Sequence, residues 1–215
     1  MIQQVKSLML LHYASLRRDQ MIPAQEITLH NLAERAARDG MRILEIGSWC
    51  GFSSALLGRV ARAHNGQLVC VDWWRGVMGT RAIWLERLTN PYRRFRKRIV
   101  SDGLDDTVVS MRGRTQDVLP LLSQASFDLI FVDADHRYDG VLHDIRQARR
   151  LVKSGGIICG HDCETLPTPA NRPALERSCN ADCVDGIHAG VVLAVYDTFG
   201  AGGYEIENSI WYATG

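Results

Sequence analysis

Short apolar strands alternating with amphipathic helices predict an α/β fold built on a doubly wound, mostly parallel sheet. Three observations carry this expectation. The strand-like runs from residue 42 onward are separated by helical stretches, as a parallel sheet with crossover helices requires. Those runs are continuously apolar, as in Phe127-Asp128-Leu129-Ile130-Phe131-Val132, which fits a sheet covered on both faces. Several end in a Gly or Asp, the residue types that turn the chain or bind a ligand at a strand's carboxyl end.

The elements follow in order. Residues 1–38 read as helical, with Val5, Leu8, Leu11 and Leu16 near helical spacing and a second repeat from Ile27 to Ala37 after a break at Pro23. Arg42 to Ile46 is the first strand, closed by Gly47, and Ser53 to His64 the helix after it, ended by Asn65-Gly66. Gln67 to Val71 is the second strand, reaching Asp72. A loop spans Trp73 to Gly79, and a basic helical stretch runs from Arg81 to Ser101. Val108 to Arg112 is the third strand, Asp117 to Gln124 a short helix, and Phe127 to Val132 the fourth strand, ending in Asp133. Tyr138 to Leu151 is a helix, and Lys153-Ser154-Gly155-Gly156 turns into the strand Ile157-Ile158-Cys159. Cys163 to Asp185 is a polar, proline-rich segment, followed by a helix over Ala189–Phe199 and terminal strands within Tyr204–Trp211. The domain reading is an N-terminal helical extension over residues 1–40 and one α/β domain over 41–215.

Composition narrows the partners. A formal net charge of +1 gives no global reason to bind nucleic acid or an anionic membrane. No apolar run approaches the ~20 residues that span a bilayer, and no secretory signal is visible, so a cytoplasmic location is expected. The six cysteines then read as free thiols. A structural zinc on Cys159, Cys163, Cys179 and Cys183 is a weaker alternative, because the first pair begins inside a strand. The run Tyr92-Arg93-Arg94-Phe95-Arg96-Lys97-Arg98 reads as a solvated helix face rather than an RNA contact, and Asn90-Pro91-Tyr92 as a helix terminator.

Ligands of such sheets bind beyond the carboxyl ends of the strands. The first strand ends Glu45-Ile46-Gly47-Ser48-Trp49-Cys50-Gly51, whose glycines let the backbone approach a ligand at a helix N-terminus. Asp72, ending the second strand, suits the two hydroxyls of a ribose. A dinucleotide site normally carries Gly-x-Gly-x-x-Gly for its pyrophosphate. Here Gly47 and Gly51 are four apart, the third glycine is missing and Glu45 leads the loop, a pattern better suited to a sulfonium donor bearing an amino group.

Ile43-Leu44-Glu45-Ile46-Gly47-Ser48-Trp49-Cys50-Gly51-Phe52-Ser53 resembles the first motif of class I S-adenosylmethionine-dependent methyltransferases, above all the catechol and caffeoyl-CoA O-methyltransferase group. Gly113 to Pro120 is similar to the adenine-binding segment of those enzymes, and Phe131 to His136 to their fourth-strand motif. The stretch Asp133 to Asp162, with Gly155-Gly156 and Gly160-His161-Asp162, is similar to bacterial macrocin-type sugar and cephamycin-pathway O-methyltransferases, as is Asn208-Ser209-Ile210-Trp211. The resemblance covers about residues 41–162 well, and implies a Rossmann-like methyltransferase fold with N-terminal helices.

It also implies roles. Glu45, Gly47, Ser48, Trp49, Gly51 and Ser53 would surround the methionine part of the donor. Asp72 would hold the ribose, Trp73 would pack on the adenine, and Thr115 and Gln116 would meet the adenine edge. Asp133 and Asp135 complete the donor set. Asp133, His161 and Asp162 stand where related enzymes hold a divalent ion, Mg²⁺ or, given the imidazole of His161, Mn²⁺ or another transition ion. His136 takes the place of a catalytic lysine and is the candidate general base, with Asp133 beside it. His188 reads as structural. Trp73, Trp74 and Trp84 are candidates for an acceptor wall or for core. The expectation is therefore a metal-assisted O-methyltransferase for a hydroxyl of a sugar, phenol or natural product, acting as a homodimer or larger homo-oligomer. A metal-independent methyltransferase, a non-catalytic donor-binding subunit and an NAD-dependent oxidoreductase remain open at this stage.

Overall fold

The computed structural model describes residues 21–75 and 90–215. Helix α1 (Pro23–Arg35) is followed by β1 (Arg42–Ile46), α2 (Phe52–Ala63), β2 (Gln67–Asp72), α3 (Pro91–Ser101), β3 (Val108–Arg112) and α4 (Thr115–Val118). Then come β4 (Phe127–Val132), α5 (Tyr138–Leu151), β5 (Val152–Gly160), α6 (Arg172–Ser178), α7 (Ala189–Phe199), β6 (Glu205–Glu207) and β7 (Ile210–Thr214). Most expected elements lie within a residue or two of these bounds; the first 20 residues and Trp84 lie outside the described residues.

The strands form one sheet in the order β3-β2-β1-β4-β5-β7-β6. The pairs from β3 through β5 are parallel, and β7 runs antiparallel to both β5 and β6. Alternate side chains of each central strand enter opposite layers. Leu44, Ile46, Ile130 and Ile158 pack with Val141 and Ile145 of α5 and Val192 and Val195 of α7. Ile43, Leu68, Leu129 and Phe131 pack with Leu29 of α1, Leu57 of α2 and Phe95 and Ile99 of α3 on the other face. Strand order switches at β1, whose neighbours are β2 and β4, so the crevice beyond β1 and β4 is where such a sheet binds ligands.

Four expectations are corrected. Asn90-Pro91 starts a helix instead of ending one: the Asn90 side chain accepts the Arg93 N–H at 3.0 Å, and Pro91 occupies a first-turn position where no N–H is needed. The short helix near residue 117 begins at Thr115, and a 3₁₀ turn over Leu119–Leu121 replaces its second half, since Pro120 donates no backbone bond. Lys153 to Gly156 is absorbed into β5 as an irregularity opposite Phe127–Leu129. The proline-rich segment holds α6, with Pro173 inside its first turn.

Candidate functional site

The crevice is built by close backbone approach. Gly47 has φ +91°, and a Cβ there would lie 2.1 Å from the Asp133 carbonyl oxygen. Only glycine lets the β1–α2 loop lie against the end of β4. The Gly47 N–H donates to the Val71 carbonyl at 2.9 Å and the Asp133 N–H to that of Ile46 at 2.8 Å, fastening three strand ends together. Gly51, at φ +83°, starts α2 where a Cβ would strike the Phe95 ring at 2.9 Å.

The loop's polar residues divide into braces and rim. Glu45 is completely buried; its carboxylate accepts from Ser48 Oγ at 2.6 Å, from Ser54 Oγ and from the Cys70 thiol. Burial pushes its pKa up, and the serine hydroxyls partly pull it back. Glu45 and Ser48 therefore brace the loop from beneath. The other Glu45 oxygen, Oε1, is buried without a hydrogen-bond partner.

Asp72 is likewise engaged. Its Oδ2 accepts the N–H groups of Ser48 and Trp49, each at 2.8 Å, and its Oδ1 that of Trp74. Burial raises its pKa against these three bonds. The carboxylate that sequence assigns to a ribose thus also sets the shape of two loops. Trp49, Ser53, Trp73, Thr115 and Asp133 are only partly buried and form the rim, and Gln116 is exposed. The Arg114 guanidinium lies over the Trp73 ring, 4.3 Å from its centre. Trp74 is core, packed on Tyr92 and Phe95, and its indole N–H donates to the Trp49 carbonyl at 2.8 Å. Arg137 grips Asp135 through Nε at 3.0 Å and Nη2 at 2.7 Å, and the Asp135 carboxylate fills the space beside Gly140. Asp135 thereby fixes the start of α5.

Beside Asp133 lies a cluster of histidines and acids. His161 Nδ1 is 3.1 Å from Asp162 Oδ1 and 3.8 Å from Asp133 Oδ1, while its buried Nε2 has no hydrogen-bond partner. His136 Nε2 is 3.2 Å from Asp162 Oδ2 and 3.9 Å from Asp133 Oδ1, and its Nδ1 meets Asp182 Oδ1 at 2.8 Å. Asp162 sits at φ +61°, a backbone strain often found at functional positions. Burial disfavours charge on His136, but the carboxylates of Asp133, Asp162 and Asp182 outweigh it and push its pKa up to about 12. In the ion-free site these acids therefore favour a protonated His136. His161 moves up for the same reasons, burial again opposing, and the two imidazoles hold the Asp162 carboxyl well below the usual range against its own burial.

Asp133, His161 and Asp162 bring three ligand-type atoms within 4.8 Å of one another, the separation that donors around one ion adopt. The sequence-derived metal set therefore comes together. The residues sequence undervalued are His188, whose Nδ1 reaches Asp162 Oδ1 at 3.6 Å, and its partner Glu164 at 2.7 Å. All six cysteines are free, and no cysteine joins a metal-competent group among the described residues.

Comparison with known proteins agrees with this architecture. Residues 44–163, more than half of the chain, match the family described as a methyltransferase domain. A catechol O-methyltransferase of Mycobacterium tuberculosis (strain ATCC 25618 / H37Rv) is 29% identical over 174 residues, covering 76% of this chain and 68% of that protein. The O-methyltransferase TomG from Streptomyces achromogenes, involved in tomaymycin synthesis and solved in complex with SAM, superposes with TM-score 0.62 at 22% identity, over 94% of this chain and 85% of that one. An O-methyltransferase from Bacillus cereus in complex with SAH gives TM-score 0.61 at 19% identity, over 99% and 90% of the two chains. These two likenesses establish the shared fold, and the family match over β1 to the end of β5 goes further: the chain belongs to the methyltransferase-domain family.

Proposed function

We propose that this protein transfers a methyl group from S-adenosylmethionine to a hydroxyl of a small molecule, assisted by a divalent ion. The observation that carries the reading is the contact of Gly47 with the Asp133 backbone, which puts the donor loop directly against the Asp133–His161–Asp162 triad. A sulfonium bound in that loop would lie close to these acids. The kinship with a catechol O-methyltransferase, and the SAM and SAH in the two solved relatives, support the donor and the hydroxyl acceptor.

The residues divide the work. Trp73 and Thr115 offer an aromatic face and a polar edge to the adenine, and Asp72 is the candidate for the ribose once a hydroxyl competes for one of its three N–H bonds. The triad residues fit a divalent ion by donor type and spacing, and an ion there lowers the pKa of an acceptor hydroxyl. The acceptor oxygen attacks the methyl carbon, a C–O bond forms, and the C–S bond breaks with its electron pair passing to sulfur. The hydroxyl proton leaves to water. Positioning supplies much of the acceleration in such a displacement.

The test is calorimetry with S-adenosylhomocysteine, then methyl transfer to a panel of sugars, phenols and hydroxylated natural products with Mg²⁺ or Mn²⁺ and with EDTA. Donor-product binding and EDTA-sensitive methylation support the reading. Absence of binding removes the donor, and full activity in EDTA with a D162N variant removes the metal. The reading carries a homo-oligomer with it, which light scattering of the full chain checks.

A further inference from the structure

Asp162 belongs to a second group of metal-competent side chains. Ligand-type atoms of His136, Asp162 and His188 also lie within 4.8 Å of one another. Asp162 Oδ2 lies 3.2 Å from His136 Nε2 and Asp162 Oδ1 3.6 Å from His188 Nδ1, with the two imidazole rings edge to face at 4.7 Å between centres. Two imidazoles and one carboxylate make a softer donor set than the two carboxylates and one imidazole of the first triad.

The surroundings of this second triad are those of a built site. Each imidazole is held by an acid outside the triad: His136 Nδ1 by Asp182 Oδ1 at 2.8 Å, and His188 Nδ1 by Glu164 Oε1 at 2.7 Å. Glu164 also accepts the His188 backbone N–H at 3.1 Å, so one carboxylate fixes both ring and main chain. On His136 the acid takes the nitrogen turned away from Asp162, the arrangement that orients a ligating imidazole, while Glu164 shares Nδ1 of His188 with Asp162 and so sets where that ring lies.

The backbone is arranged to the same end. His188 precedes α7, and Gly190 in its first turn is pressed against the segment carrying His136. A Cβ on Gly190 would lie 2.2 Å from the His136 carbonyl oxygen and 2.6 Å from that of Cys179. The Tyr138 N–H donates to the Cys179 carbonyl at 2.9 Å, tying the start of α5 to the same place. Residues from three distant stretches of chain are therefore locked face to face.

From these observations we propose that His136, Asp162 and His188 form a site for a borderline transition ion such as Fe²⁺, Co²⁺ or Zn²⁺, selected over Mg²⁺. Two histidines and one carboxylate are the ligand types of non-haem Fe²⁺ facial-triad sites, and imidazole suits such ions better than a hard cation. The inference does not depend on the methyl donor, because it concerns the side chains around Asp162 and none of the β1–α2 loop.

The experiment strips the full chain with a chelator and titrates it with Co²⁺ in excess Mg²⁺, reading the visible Co²⁺ absorption and, after dialysis, bound metal by mass spectrometry. The wild type is expected to retain Co²⁺ or Zn²⁺. H136A and H188A should lose that retention, H161A should keep it, and E164Q, which preserves shape, should weaken it about 10–100-fold. Thermal melting and S-adenosylhomocysteine calorimetry of each metal-free variant report fold and donor site separately. Retention unchanged in H188A and E164Q, loss in H161A alone, or displacement by Mg²⁺ overturns the proposal. If the wild type binds no S-adenosylhomocysteine while Co²⁺ follows the expected pattern, the donor reading fails and this one stands.

Discussion

Replacing Asp144 by Asn should change how stability depends on pH. Asp144 lies on α5 with 1% of its surface exposed, and its Oδ1 has no hydrogen-bond partner. Burial pushes its pKa from 3.8 up to about 7, with the Thr115 side chain easing the shift and the Asp135 charge adding to it. Well below the unfolded value of 3.8 the group is neutral in both folded and unfolded chains and costs nothing. As pH rises towards 7 the unfolded chain ionises freely while the folded chain does not, so stability is progressively lost. A shift of about three units corresponds to roughly 4 kcal/mol in all, of which about 2.5 kcal/mol falls between pH 5 and pH 8. D144N cannot ionise and escapes this loss. The fit of its amide adds a constant offset, so the slope alone carries the test. Melting curves of both proteins at pH 5, 6, 7 and 8 should show the variant gaining on the wild type by about 5–10 °C across the series, at ~2–4 °C per kcal/mol for a chain of this size. Parallel melting-temperature curves would refute the reasoning: Asp144 would then be ionised in the folded protein, with a partner for Oδ1.

Three further outcomes follow from the geometry. G47A drives a methyl group into the Asp133 carbonyl at a φ of +91°, and should cost about 2–5 kcal/mol in chemical denaturation while abolishing S-adenosylhomocysteine binding. W73A removes a half-buried ring from under Arg114; calorimetry should show ~5–10-fold weaker S-adenosylhomocysteine binding with little change in melting temperature. D128N disrupts a buried carboxylate that meets Lys153 Nζ at 2.9 Å, the Arg42 N–H at 2.8 Å and the Arg38 guanidinium. It should cost about 3 kcal/mol in denaturant unfolding and leave S-adenosylhomocysteine affinity unchanged, since β4 carries Asp128 at the end opposite the crevice.

The sheet was legible because its signal is local. A run such as Phe127 to Val132 declares a strand buried on both faces whatever its neighbours are, and Gly47 declares a turn because few other residues reach φ +91°. Proline was misread wherever its position relative to a helix start decided its meaning. At Pro91 and Pro173 the missing N–H falls in a first turn, where it costs nothing and the fixed φ helps, but residue spacing alone does not reveal which side of a boundary a proline occupies.

The site was legible to the extent that its residues end strands. Asp72, Asp133 and Asp162 follow β-type runs directly, so the topology delivers them to one edge of the sheet without further information. What each carboxylate does there is set by partners far away in sequence. Glu45 becomes a brace because Ser48, Ser54 and Cys70 close over it, and Asp135 becomes a helix anchor because Arg137 takes both its oxygens. His136 shows this most: three carboxylates, one of them 46 residues away, surround its ring and favour its charged form while no ion is bound. His188 gave no motif at all; only Gly190 pressed on the His136 carbonyl brings its ring beside Asp162. Strand ends thus announce where chemistry takes place, while packing between loops decides which groups carry protons and which are arranged to hold an ion.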